Sequence, residues 1–181
     1  MAHVCPWWGG YFIDNPLRRI LHNPEKILGR FVRPGMFAME VGCGMGLFSI
    51  AMARMVGEHG QVIAVDLQQQ MLDVLRSRAE KQGVSDRIQT HRCEANRLGI
   101  NVPVDFVLAM MMVHEVPDQS RLLREIHGCL KPGGRFLVAE PKIHVPGSAF
   151  AKTMTLATES GFTSIGEPRV FGCRAVVFEK V

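Results

Sequence analysis

The chain has 181 residues, 47% of them hydrophobic and 21% charged, with a net charge of +4. That length allows one sizeable core, and the ordinary balance of apolar and charged residues excludes a disordered, fibrous or membrane-embedded chain. The 21 Lys and Arg are scattered without a like-charged block, so a nucleic-acid surface has little support.

Met1 to Trp8 lack the charged start and long apolar core of a signal peptide. No apolar run approaches the roughly 18 residues of a membrane span, and a soluble cytoplasmic protein is expected. The cysteines (Cys5, Cys43, Cys93, Cys129, Cys173) are odd in number and widely spaced. They argue for reduced thiols rather than a disulfide framework. The pairs His3/Cys5 and His91/Cys93 lack metal-finger spacing, and no metal is expected.

Residues 1–35 are rich in aromatics, Pro and Asn and read as a helical, aromatic cap on a single domain of residues 1–181. Trp7, Trp8, Tyr11 and Phe12 cluster, either as a structural plug or as the lining of an acceptor site. Asn15-Pro16 and Asn23-Pro24 each pair a capping side chain with a proline suited to a first turn. The second predicts a helix from about Pro24 to Phe31, stopping before Arg33-Pro34-Gly35.

Strand and helix patterns then alternate. Phe37–Val41 reads as a strand, Gly46–Val56 as a helix, Gln61–Val65 as a strand and Gln68–Gln82 as a helix. In that helix Met71, Leu72, Leu75 and Ala79 share one face. Strands follow at Ile88–Arg92 and Asp105–Met110, a helix at Gln119–Leu130 initiated near Asp118, and a strand at Arg135–Glu140. Such alternation implies a parallel sheet covered on both faces. A helix near Ala149–Ser160 then stops at Gly161. The runs Phe162–Ile165 and Phe171–Glu179 stand too close together for a crossover, so they pair antiparallel.

The segment Glu40-Val41-Gly42-Cys43-Gly44-Met45-Gly46 joins the first strand to the next helix. Glycines there admit positive φ and let a ligand touch bare backbone, with the N–H groups of the helix start beyond. No Gly-Lys-Ser/Thr follows, which excludes a phosphate loop, and the third glycine comes one residue early for a dinucleotide loop. Asp66 ends the second strand about twenty residues on, where a carboxylate either accepts from ribose hydroxyls or caps the next helix. His114 and Glu115 stand just beyond the fourth strand. His114 is either a proton acceptor or a loop-fixing hydrogen-bond partner.

Together with Val62-Ile63-Ala64-Val65-Asp66, Glu94-Ala95, His114-Glu115-Val116-Pro117-Asp118 and Leu130-Lys131-Pro132-Gly133-Gly134, the glycine segment resembles class I S-adenosylmethionine-dependent methyltransferases. Within that class the chain is most similar to the group of ubiquinone- and menaquinone-pathway enzymes. The resemblance implies an α/β Rossmann-like sheet of seven strands in the order 3-2-1-4-5-7-6, strand 7 antiparallel, with helices on both faces. It implies S-adenosylmethionine as cofactor, S-adenosylhomocysteine as product and a small, partly apolar methyl acceptor, with a homodimer left open.

It also implies roles. Gly42, Cys43, Gly44 and Gly46 seat the methionine part and Glu40 orders its amino group. Asp66 holds the ribose, Leu67 and Met71 line the adenine pocket, Glu94 and Ala95 read the adenine edge, and Ala109 and Met110 offer backbone. His114, Glu115 and Tyr11 are the candidate catalytic residues. The family often has a polar residue where Met110-Met111-Met112 stands, and the three methionines either fill core or face the acceptor. An NAD(P)-dependent oxidoreductase is the competing enzyme class, and a non-catalytic S-adenosylmethionine-binding module the third reading.

Overall fold

The computed structural model describes residues 7–9 and 16–181, so His3, Cys5, Tyr11 and Phe12 lie outside the described residues. The described residues through Cys93 form one compact unit and Glu94–Val181 another.

The first unit opens with two short helices, α1 (Pro16–Leu21) and α2 (Pro24–Leu28). The Asn23 side chain accepts from Lys26 N–H at 3.1 Å, as an N-cap should. Helix α2 ends at Leu28, short of Phe31, whose N–H donates to Leu28 O at 2.8 Å rather than to the carbonyl four residues back. The Arg33 guanidinium donates to Gly29 O at 2.6 Å and to Arg30 O at 3.3 Å, the latter a carbonyl to which Pro34 has no N–H to give. Trp7 and Trp8 lie in a short turn and are 39% and 58% exposed, so neither is buried as a plug.

Three parallel strands follow, β1 (Phe37–Val41), β2 (Gln61–Asp66) and β3 (Ile88–Arg92), linked by α3 (Leu47–Val56) and α4 (Gln69–Lys81). Their register sets Val41 beside Val65 and Asp66 beside Arg92, so the strands finish along one rim. β1 and β2 are buried after their first residue, the signature of a sheet covered on both faces. Met71, Leu72, Leu75 and Ala79 form the buried face of α4, as the periodicity predicts.

The second unit holds β4 (Val104–Met110), α5 (Gln119–Cys129), β5 (Leu130–Pro141), α6 (Gly147–Glu159), β6 (Phe162–Gly166) and β7 (Cys173–Lys180). Asp118 caps α5 by accepting from Arg121 N–H at 2.9 Å. β5 begins earlier than the pattern suggests. Leu130 already pairs with Val104, and the Lys131–Gly134 turn is carried as a bulge before Arg135 pairs with Phe106. β7 runs antiparallel to both β5 and β6, and Phe136, Phe162 and Phe178 pack with ring centroids 5.5 to 6.0 Å apart. The strand order is β3-β2-β1-β4-β5-β7-β6, the order the resemblance implies. Among the described residues no helix is long and apolar enough to cross a membrane.

Candidate functional site

In the first unit the loop after β1 is built on left-handed backbone, with φ of 70° at Gly42, 52° at Gly44 and 88° at Gly46. It is tied to the end of β2: Gly42 N–H and Cys43 N–H both donate to Val65 O, at 2.9 and 3.0 Å. Gly44 N–H donates to Asp66 Oδ2 at 2.9 Å. The glycines are not equivalent. A Cβ on Gly44 would meet nothing within 4 Å, whereas one on Gly46 would stand 2.7 Å from Leu75 Cγ. Gly44 borders open space that a ligand can use; Gly46 lets the start of α3 pack against α4. The Cys43 side chain is buried, and burial raises the thiol's pKa.

Two buried carboxylates flank this loop. Glu40, 2% exposed, accepts from the Ser49 hydroxyl of α3. Burial pushes its pKa up to about 8, against the opposing effects of that hydrogen bond and the Arg18 charge. Asp66 accepts from Gln68 N–H on Oδ1 and Gly44 N–H on Oδ2, both at 2.9 Å. Burial raises its pKa and the N–H groups of Gln68, Gly44 and Leu67 oppose that rise. Asp66 therefore pins the loop and fixes the entry to α4, yet the carboxylate keeps a lone pair for a further donor. Leu67 is half-buried and Met71 buried on the first turn of α4.

In the second unit Glu94 and Ala95 are exposed, and Glu94 and Arg97 bond to each other through their main chains at 3.0 and 3.2 Å. Ala109 and Met110 are buried at the end of β4, opposite Val138 and Ala139. The chain then turns sharply. Met111 has φ 60°, rare for a residue with a side chain, and its N–H donates to Ala139 O at 2.7 Å. Met112 leads into a 3-10 turn, Val113–Glu115.

A residue that the sequence reading leaves as the end of a strand organises this turn. Glu140, 1% exposed in β5, accepts from Val113 N–H at 2.8 Å with one oxygen and pairs with His114 Nδ1 through the other. Gln119 Nε2 donates to Val113 O at 3.1 Å, and Thr153 Oγ1 donates to Gln119 Oε1 at 3.0 Å, so β5, α5 and α6 together fix the exit from β4. The hydrogen bond that His114 donates to Glu140 raises the pKa of His114; partial burial opposes it, and the charges of Glu140 and Glu115 add to it. The His114 side chain is 28% exposed, and His144 stacks parallel to it at 6.5 Å. Because a carboxylate can only accept, Glu140 selects the tautomer with the proton on Nδ1 and leaves Nε2 as the acceptor. A signal did exist: an acid ending the apolar run of β5 is out of place unless a polar group meets it. Tyr11 lies outside the described residues.

Residues 38–134, more than half of the chain, match the family described as methyltransferase domain. Among curated proteins the chain is 34% identical over 110 residues to a demethylmenaquinone methyltransferase of Lactobacillus johnsonii, covering 60% of this chain and 45% of that protein. It is 33% identical over 111 residues to a ubiquinone/menaquinone biosynthesis C-methyltransferase of Vibrio vulnificus, covering 60% of this chain and 42% of that one. The chain thus spans less than half the length of these relatives. Its fold is similar to the crystal structure of an S-adenosylmethionine-dependent methyltransferase from Aquifex aeolicus, with a TM-score of 0.87 at 24% identity, over 98% of this chain and 100% of that one.

Proposed function

This chain belongs to the methyltransferase-domain family, and we propose that it moves the methyl group of S-adenosylmethionine to a small, partly apolar acceptor in the cytoplasm. The residues of the first unit fit that cofactor. Gly44 borders open space, Asp66 has a lone pair to spare for a ribose hydroxyl, and Glu40 is a buried carboxylate suited to ordering an ammonium group. Leu67 and Met71 supply apolar surface for the base. Glu94, Ala95, Ala109 and Met110 keep the roles that the resemblance implies.

When bound, the cofactor supplies an electrophilic methyl on a cationic sulfur. Holding the acceptor in line and excluding water supplies much of the acceleration. The single observation that carries the chemistry is the buried Glu140 on His114 Nδ1. It turns a partly exposed histidine into an oriented base whose Nε2 takes the proton lost by the acceptor, while the carboxylate stabilises the imidazolium that forms. Glu115 adds negative charge near the ring.

The test is formation of S-adenosylhomocysteine from S-adenosylmethionine with a demethylated naphthoquinol, and with simple phenols and thiols, by the protein and by His114→Ala. Turnover by the protein and a loss of about 10²- to 10⁴-fold in the variant, with cofactor affinity unchanged, is expected. No product above background with every acceptor, or an undiminished rate in the variant, contradicts the reading.

A further inference from the structure

β5 ends at Pro141 and β7 begins at Cys173, and these two residues pair across the sheet. The loops beside them are therefore neighbours, and Lys142 N–H donates to Gly172 O at 2.9 Å. Each loop turns one valine inward: Val145 is 3% exposed and Val170 is 7% exposed. Arg174 Nη1 donates to Val145 O at 2.8 Å and fixes the first loop further. Held this way, the pair of loops presents Ile143 at 92% exposure and Phe171 at 64%.

Scattered apolar residues on a surface are ordinary; two large ones on hydrogen-bonded loops, anchored from behind, are not. Lys142 and Arg169 are exposed in the same two loops, against the single acid Glu167. A second protein surface suits this feature poorly, because a stable interface covers about 800 Å² on each partner. A lipid surface asks for no shape complementarity, only for apolar side chains that insert and cations at headgroup level.

We propose that these two loops dock on an anionic lipid surface, with Ile143 and Phe171 inserted among the acyl chains and Lys142 and Arg169 against the headgroups. Lys142 follows Glu140 by two residues, and the His144 ring on the same loop stacks at 6.5 Å from His114. The docking face thus adjoins the proton-accepting imidazole, and an acceptor dissolved in the bilayer reaches it from the lipid. That last step rests on the functional reading above; the docking itself does not.

Sedimentation with vesicles tests it, using pure phosphatidylcholine and an equal mixture of phosphatidylcholine and phosphatidylglycerol. The protein should sediment with the mixed vesicles, less so at high salt, and hardly with the neutral ones. The Ile143→Ser/Phe171→Ser and Lys142→Glu/Arg169→Glu double variants should each bind about tenfold or more weakly, with an unchanged circular dichroism spectrum and unchanged cofactor affinity. No sedimentation of the protein, sedimentation of either double variant equal to that of the parent, or a lipid-free dimer abolished by the Ile143/Phe171 variant would overturn the proposal. Vesicle binding without any binding of S-adenosylmethionine would instead leave the docking face standing and remove the methyl-transfer reading.

Discussion

The two units place their key carboxylates in different ways. In the first, Glu40 meets Ser49 nine residues on, while Asp66 meets Gln68 two residues on and reaches back 22 residues to Gly44 of the glycine loop. In the second, Glu140 meets Val113 and His114 across 27 and 26 residues. The first unit anchors each carboxylate partly on a neighbour within nine residues, Ser49 or Gln68; the second relies wholly on the pairing of β4 with β5. A cofactor shared by many enzymes fits the first arrangement, and an acceptor peculiar to few fits the second.

The largest effect that could break this contrast lies in the second unit. Glu140→Gln keeps the shape but removes the charge from His114 Nδ1, and activity should fall by about 10²-fold or more. The rate should rise with pH as His114 loses its proton, with a midpoint above the ordinary 6.5 in the parent and a lower one in the variant. A pH–rate profile identical in both would reduce Glu140 to a structural role. The linked stability runs the other way: the contribution of the pair is fully present below pH 6.5 and is lost as pH rises through the raised pKa of His114.

Glu40 offers the next effect, in the first unit. Its pKa rises from 4.5 to about 8, so the folded protein holds a proton that the unfolded chain has released. Melting temperature in the absence of cofactor should fall as pH climbs from 4.5 to about 8. Glu40→Gln should flatten that slope, and a slope unchanged by the substitution would mean that another group causes it.

Glycine substitutions then separate packing from ligand approach. Gly46→Ala drives a Cβ to 2.7 Å from Leu75 Cγ at a φ of 88°, and should cost about 1–3 kcal/mol of stability in chemical denaturation. Gly44→Ala, with nothing within 4 Å, should cost only the backbone strain of about 1 kcal/mol while weakening cofactor binding. Equal destabilisation by the two would erase the distinction. Asp66→Ala, finally, should weaken the cofactor by roughly 1–3 kcal/mol and also lower the melting temperature, because Gly44 and Gln68 lose their acceptor.

Most of the fold was legible because it rests on local patterns. Apolar runs and helical periodicity locate the strands and helices, and the shortness of the link between Phe162–Ile165 and Phe171–Glu179 forces an antiparallel pair. The ends of elements were less legible where a distant partner decides them, as with Val104 drawing Leu130 into β5. The site divides the same way. Glu40, Gly44 and Asp66 announce themselves by spacing, although only packing shows that Gly46 faces Leu75. Glu140 carries no spacing signal toward His114, since the turn at Met111 and the strand register create their meeting.

The central assignment, an amino-acid zwitterion joined to adenosine seated at the glycine loop, meets its most direct test in calorimetric titration of the full chain with S-adenosylmethionine, S-adenosylhomocysteine and NADH. Saturable binding of both sulfur compounds, weakened by Asp66→Ala, with no heat from NADH, is the expected result. Saturable binding of NADH with no response to either sulfur compound would contradict it.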